Sequence, residues 1–155
     1  MATIPLPPDF REFLRLLNEN DVRYLLVGGY AVGFHGHVRG TADIDIWVDV
    51  TGDNPERIVK ALDDFGFRGP EVTAELFRTP GHIVRMGVPP LRIELMTSIS
   101  GVAFADCYKS RLVANWDEAA VSIISLPMLK LNKRASGRPK DLEDVQQLEE
   151  HDVDE

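Results

Sequence analysis

Two short segments combine the residue types that bind phosphate groups and divalent cations. Gly28 and Gly29 follow an apolar stretch, and Asp43 and Asp45 stand two positions apart in a second one. Because side chains alternate along a strand, the two carboxylates share one face, with Cα atoms about 6.6 Å apart. Carboxylate oxygens suit Mg²⁺, and the free backbone N–H groups of a glycine turn suit a polyphosphate.

The surrounding sequence predicts the elements that position these residues. A helix opens at residues 7–9 and ends at 18–21, and apolar spacing and capping signals predict further helices at 30–34, 55–65, 104–110, 127–135 and 140–149. Strands are predicted at residues 24–27, 43–50, 76–79, 82–88, 91–96 and 119–125, with a break at 89–90. The fold class is α/β (α+β): a small mixed β-sheet flanked by helices.

The predicted strand at residues 91–96 carries a third acid. Its apolar residues alternate with polar ones, so Glu94 lies on the polar face of its strand, as Asp43 and Asp45 do on theirs. The simpler interpretation is a surface charge that pairs with Arg85 or Arg92. Trp47 alternates onto the face of the two aspartates, and we expect it to border their pocket.

Composition limits the class of protein. The chain has 155 residues, 44% of them apolar and 27% charged, which favours a single domain over residues 1–155 with a core at about 22–148 and an acidic tail at 149–155. One cysteine excludes an internal disulfide, and residues 1–5 do not resemble a signal peptide. With no apolar run long enough to cross a membrane, we expect a cytoplasmic protein.

A basic cluster interrupts this acidic chain, whose net charge is −8. Five cations fall within eleven residues: Lys130, Lys133, Arg134, Arg138 and Lys140. They form either an ordinary solvated helix face or a local patch that attracts phosphate. The overall negative charge repels a nucleic-acid backbone, so any such contact needs a local patch of this kind.

Taken together, these motifs resemble the nucleotidyltransferase superfamily with its polymerase-β-like palm. The matching residues are the Gly28-Gly29 turn, the Asp43-Ile44-Asp45 acid pair and Glu94 as the third acid. The segments RGTADID at 39–45 and LNKRASGRPKD at 131–141 are similar to small bacterial and archaeal members, including minimal nucleotidyltransferases and abortive-infection toxins. The resemblance covers residues 24–148. It departs at Glu94, where many relatives carry aspartate.

The resemblance implies transfer of a nucleoside monophosphate from an NTP to a hydroxyl, with release of pyrophosphate. Asp43, Asp45 and Glu94 would be the catalytic residues and would hold two Mg²⁺ ions, for which Mn²⁺ could substitute. The nucleotide would contact six further residues: Gly28, Gly29, Arg39, Thr41, Lys133 and Arg138. For Arg39 a salt bridge, and for Thr41 a structural role at the strand start, are open alternatives.

The acceptor and the biological role stay open at the level of sequence. The acceptor hydroxyl could belong to tRNA, another nucleic acid or a protein, and a partner chain or homodimer could complete the site. The protein could act in a toxin–antitoxin pair. A catalytically inactive binding partner is the main alternative, and metal-dependent phosphoester hydrolysis is a third.

Overall fold

The structure, a computed structural model, describes residues 5–87 and 91–153 of the chain. Its helices are α1 (Pro8–Glu19), α2 (Gly28–Phe34), α3 (Asn54–Phe65), α4 (Phe104–Lys109), α5 (Leu126–Ser136) and α6 (Pro139–Val153). Its strands are β1 (Tyr24–Val27), β2 (Asp43–Val48), β3 (Ile83–Met86), β4 (Arg92–Met96), β5 (Leu112–Trp116) and β6 (Ala119–Ile123). The predicted α/β class is confirmed.

The six strands form one mixed sheet in the order β3-β4-β2-β1-β6-β5. The central strand β2 runs antiparallel to β1 and parallel to β4, and β1 runs parallel to β6. The outer pairs β3–β4 and β5–β6 are antiparallel. Both strands that carry the predicted site acids are therefore adjacent at the centre of the sheet.

The strand β2 separates the core from the polar side of the sheet. Ile44, Ile46 and Val48 are fully buried in the core that also holds the apolar faces of α1 and α3. This burial fixes the register, because a one-residue shift would move the isoleucines onto the polar face. The aspartates must then face the opposite side.

Two predicted elements differ from the structure near the sheet edges. Residues 76–79 do not form a strand: Leu76–Arg78 is a short 3-10 helix closed by local bonds from Phe77 N–H to the Ala74 carbonyl, with the Phe77 ring fully buried. The strand predicted at 82–88 is reduced to Ile83–Met86. Residue 88 and the predicted break at 89–90 lie outside the described residues.

The strand β5 was not predicted. It pairs with β6 through a tight turn whose two central residues, Asp117 and Glu118, have φ angles of 49° and 70°. Two left-handed residues suit a two-residue hairpin, but Asp-Glu lacks the glycine that usually signals one. The last helix is also longer than predicted, reaching Val153 rather than residue 149.

Within the described ranges, no helix combines the length and the apolar composition needed to cross a bilayer.

Candidate active site

A cleft with a volume of about 640 Å³ opens over the polar face of the sheet. One side is formed by β2, β4 and the start of α2, and the other by α5 and the start of α6. All nine predicted site residues line it: Gly28, Gly29, Arg39, Thr41, Asp43, Asp45, Glu94, Lys133 and Arg138. Residues from five separate segments of the chain thus meet in one cleft.

The three acids lie side by side on the cleft floor. Asp45 of β2 is the direct register partner of Glu94 on β4, and Asp43 precedes Asp45 by two positions on the same face. Partly exposed acids alternate with fully buried isoleucines along β2, so the core holds this face toward the cleft. The arrangement places three carboxylates from adjacent strands within one small area.

Burial and neighbouring negative charge perturb the middle acid. Burial, reinforced by the neighbouring charges of Glu94 and Asp43, raises the pKa of Asp45 well above its usual range, and Lys133 opposes this effect. A carboxylate that is costly to ionise among other carboxylates is stabilised by a nearby cation. The electrostatics of the floor therefore favour a bound positive ion.

The two outer acids already contact arginines. Arg92 Nη2 lies 3.2 Å from Asp43 Oδ2, and Arg85 Nε lies 3.0 Å from Glu94 Oε1. In the described part of the chain, no group of three or more His, Cys, Asp or Glu side chains is already positioned to hold a metal ion. The donor set still fits Mg²⁺, because carboxylate oxygens are its preferred protein ligands and all three share one face.

The glycine turn packs directly against the acids. Gly28 has a φ of +67°, and a Cβ at this position would overlap the carboxylate of Asp45. A Cβ at Gly29 would lie about 3.0 Å from Thr41 Oγ1. Both glycines are the first residues of α2, which the sequence predicted to begin only at residue 30. The missing side chains allow the backbone to approach the floor of the cleft.

Gly28→Ala tests this close packing against a matched control. Gly137 has a nearly equal φ of +68°, but a Cβ there meets open space. Both substitutions carry the left-handed backbone cost of about 1–2 kcal/mol, and only Gly28→Ala also displaces Asp45. We expect Gly28→Ala to lose most activity and to lower the free energy of unfolding further than Gly137→Ala. Chemical denaturation and turnover measure the two effects, and equal behaviour would contradict the packing argument.

Arg39 and Thr41 secure the loop that leads into β2. The guanidinium of Arg39 donates two hydrogen bonds to the carboxylate of Asp144, at 2.9 and 3.1 Å. Thr41 Oγ1 donates to the Asp43 carbonyl at 3.2 Å. Their contacts match the structural alternatives left open by the sequence, a salt bridge and a strand-start bond.

Three cations of the basic cluster line the cleft, and two do not. Lys133 is buried, with Nζ 2.8 Å from Asp141 Oδ1 and 3.1 Å from Asp144 Oδ2. Arg138 also pairs with Asp141, at 3.0 Å, but its side chain is 78% exposed at the cleft. Arg134 instead pairs with Glu149. Lys140 lines the cleft, whereas Lys130 and Arg134 are not among its described lining residues.

Sequence reasoning missed Asp144, which joins Arg39 to Lys133. The only available signal was its spacing from Asp141, because residues three apart share a helix face.

The position of Trp47 differs from the one that we expected. It does lie on the acid face, but the Phe104 ring of α4 packs edge-on against it at 5.0 Å and it is buried outside the cleft.

The comparisons with known proteins agree with this architecture. Residues 9–152 match the family described as "nucleotidyltransferase of unknown function (DUF6036)". The chain belongs to this nucleotidyltransferase family. No curated protein sequence matches the chain.

Two solved structures share its fold. One is a protein from Thermotoga maritima proposed to be a nucleotidyltransferase, with a TM-score of 0.56 and 15% identity over 94% of this chain and 91% of that one. The other is the lincosamide antibiotic adenylyltransferase LnuA with bound lincomycin, with a TM-score of 0.55 and 16% identity over 94% of this chain and 97% of that one. At this identity the likeness establishes the fold.

Proposed function

We propose that the protein transfers a nucleoside monophosphate from an NTP to a hydroxyl acceptor and releases pyrophosphate. The observation that carries this proposal is the set of three carboxylates, Asp43, Asp45 and Glu94, on one face beside the Gly28-Gly29 turn. Membership of a nucleotidyltransferase family supports the reaction class.

In this reaction the acceptor oxygen bonds to the α-phosphorus while the bond from that phosphorus to the β-phosphate oxygen breaks. Asp43, Asp45 and Glu94 would hold Mg²⁺, in the arrangement of two ions that neutralises charge on the attacking and leaving oxygens; Mn²⁺ could substitute. Glu94 lies on the β3 side of Asp45 and would accept the proton of the hydroxyl.

The chain's other cleft residues would bind the nucleotide. Gly28 and Gly29 let the backbone approach the phosphates, and Arg138 and Lys140 supply cations at the cleft mouth. Lys133 reaches the acids electrostatically, because it opposes the raised pKa of Asp45, while its own contacts are to Asp141 and Asp144. Arg39 and Thr41 would act by holding the loop before β2.

The acceptor, the cellular compartment and the biological role are also part of this proposal. The acceptor hydroxyl would lie on a nucleic acid such as tRNA or on a protein, the site would work in the cytoplasm, and a toxin–antitoxin role is consistent with the resemblance in residues 39–45 and 131–141. A homodimer or partner chain would supply acceptor contacts beyond the cleft.

Incubation with each α-labelled NTP, Mg²⁺ and either total cellular RNA or total cellular protein tests the reaction class. Label transferred to one fraction, with release of pyrophosphate, is the expected result. Free monophosphate without transfer would indicate hydrolysis. Absence of any conversion with retained nucleotide binding would indicate an inactive binding partner, and the proposal would be wrong.

Glu94→Gln tests the role of the third acid. The amide keeps the size of the side chain but neither accepts the proton nor carries the charge, so we expect kcat to fall far more than NTP affinity. Glu94→Asp should retain measurable turnover, because it preserves the charge on a shorter side chain. Single-turnover rates and NTP titration provide the measurement, and an unchanged kcat in Glu94→Gln would remove Glu94 from the site.

A further inference from the structure

Two arginines contact the outer site acids directly. Arg92 of β4 makes two contacts with Asp43, Nη2–Oδ2 at 3.2 Å and Nε–Oδ1 at 3.4 Å, and Arg85 of β3 makes one with Glu94 at 3.0 Å. These are two of the three carboxylates to which the proposed function assigns the metal. Each therefore carries a positive partner before any metal is bound.

The sheet register places each arginine directly opposite the acid that it contacts. Arg85 is the direct partner of Glu94, which is in turn the partner of Asp45, and Arg92 is the direct partner of Asp43. The strands fix the backbone positions, but the side chains are 57% exposed for Arg85 and 35% for Arg92. The guanidinium groups can therefore leave the carboxylates and enter solvent without any change in the sheet.

We propose that Arg85 and Arg92 are built-in counter-ions of the acidic floor, which compete with the metal ion for Glu94 and Asp43 and so set its affinity. This inference rests on the proposed function, because it assigns these acids to the metal. A guanidinium group that is bound to a carboxylate occupies acceptor sites on its oxygens, and its positive charge repels a cation that approaches the same carboxylate. The guanidinium of Arg85, once released, lies on the cleft wall, where a phosphate oxygen can replace the carboxylate.

Direct competition differs from the general effect of a nearby positive charge. Arg138 also lines the cleft, but its partner is Asp141 rather than a site acid. Removing any cation from the cleft raises the affinity for a metal ion slightly, through screened Coulomb interactions. Only the removal of Arg85 or Arg92 also frees a carboxylate, so Arg138→Gln is the matched control.

The test measures Mn²⁺ binding to the full chain without nucleotide, by titration calorimetry and by electron paramagnetic resonance. Arg85→Gln and Arg92→Gln should each tighten Mn²⁺ binding about thirtyfold, the effect of removing one unit charge about 4 Å from a divalent ion at the dielectric constant of water. Arg138→Gln should change it less than about twofold. A second readout is thermal unfolding: both variants should melt below the wild type in EDTA and recover with Mg²⁺, which replaces the lost counter-ion.

The outcomes separate this inference from the proposed function. If the wild type binds Mn²⁺ and Arg85→Gln binds it equally or more weakly, the arginines are ordinary structural ion pairs and the counter-ion role is wrong. The same conclusion follows if Arg138→Gln tightens binding as much as Arg85→Gln. If neither the wild type nor any variant binds Mn²⁺, metal-dependent transfer and the counter-ion role are both wrong.

Discussion

Replacing Asp45 with asparagine should lower the rate of nucleotidyl transfer by about a thousandfold while the protein stays folded. The expected loss is comparable to removing one preorganised electrostatic group from a catalytic centre. The fold should survive because burial and neighbouring acids already penalise the charge of Asp45, so a neutral amide relieves that cost. Asp43→Asn should behave similarly, since Asp43 is partly exposed on the same face.

Asp53→Asn is the control for this experiment. Like Asp43, Asp53 forms an ion pair with an arginine, here Arg57. Its side chain is 69% exposed, and it lies away from the cleft. We expect its turnover and its free energy of unfolding to match those of the wild type within experimental error, because exposed ion pairs contribute little. Near wild-type turnover of both Asp43→Asn and Asp45→Asn at saturating Mg²⁺ would contradict the assignment of the site. Loss of folding would show that these acids are structural.

The sequence predicted the floor of the cleft well because its signal is local. Alternation along β2 places Asp43 and Asp45 opposite the isoleucines, and the same alternation in residues 91–96 orients Glu94. Burial of the apolar face then enforces the orientation in each strand separately. Strand pairing only had to bring two already oriented strands together, and the confirmed fold class does so through the parallel β2–β4 pair.

The walls of the cleft depend on contacts that no local pattern encodes. The Arg39–Asp144 ion pair joins residues 105 positions apart, and Lys133 meets Asp141 only because α5 and α6 pack together. Neighbours in sequence also separate in space: Lys133 points inward, whereas Arg134 points to Glu149. A cluster counted along the chain therefore could not distinguish a buried lysine from exposed ones.

The elements that the sequence did not predict, near the sheet edges, also depend on features that no local pattern encodes. The hairpin that creates β5 depends on two left-handed residues, Asp117 and Glu118, and lacks the glycine that usually signals such a turn. Its strand leaves Leu112 and Val113 exposed, so the usual alternation of buried and exposed residues is weak. The apolar residues 76–77 predicted a strand, but tertiary burial of Phe77 is satisfied by a single tight turn instead.

Lys133→Ala should destabilise the protein as strongly as any single substitution in the cleft. The Lys133 side chain is 5% exposed and contacts two carboxylates that are themselves buried, Asp141 and Asp144. Removing Lys133 takes away the cation that contacts both carboxylates and leaves each with one arginine, Arg138 for Asp141 and Arg39 for Asp144. The loss of a partner from a buried ion pair costs about 3 kcal/mol or more in the free energy of unfolding. Arg134→Ala, on an exposed pair of the same helix, should cost less than about 1 kcal/mol. Urea denaturation of both variants provides the comparison.

A double variant separates the structural role of Lys133 from the phosphate contact predicted by sequence. When Lys133 is removed, the buried Asp141 is left with Ser136 and with Arg138, whose side chain is 78% exposed, so its charge is only partly compensated. Adding Asp141→Asn to Lys133→Ala should therefore restore part of the lost stability. NTP titration at low and high salt completes the test. A buried ion pair is screened little, so its contribution to stability should persist at high salt, whereas weakened NTP binding should diminish as salt rises. If Lys133→Ala has the same urea midpoint of unfolding as the wild type but binds NTP more weakly, Lys133 acts on the nucleotide. Its ion pairs then contribute nothing measurable to stability.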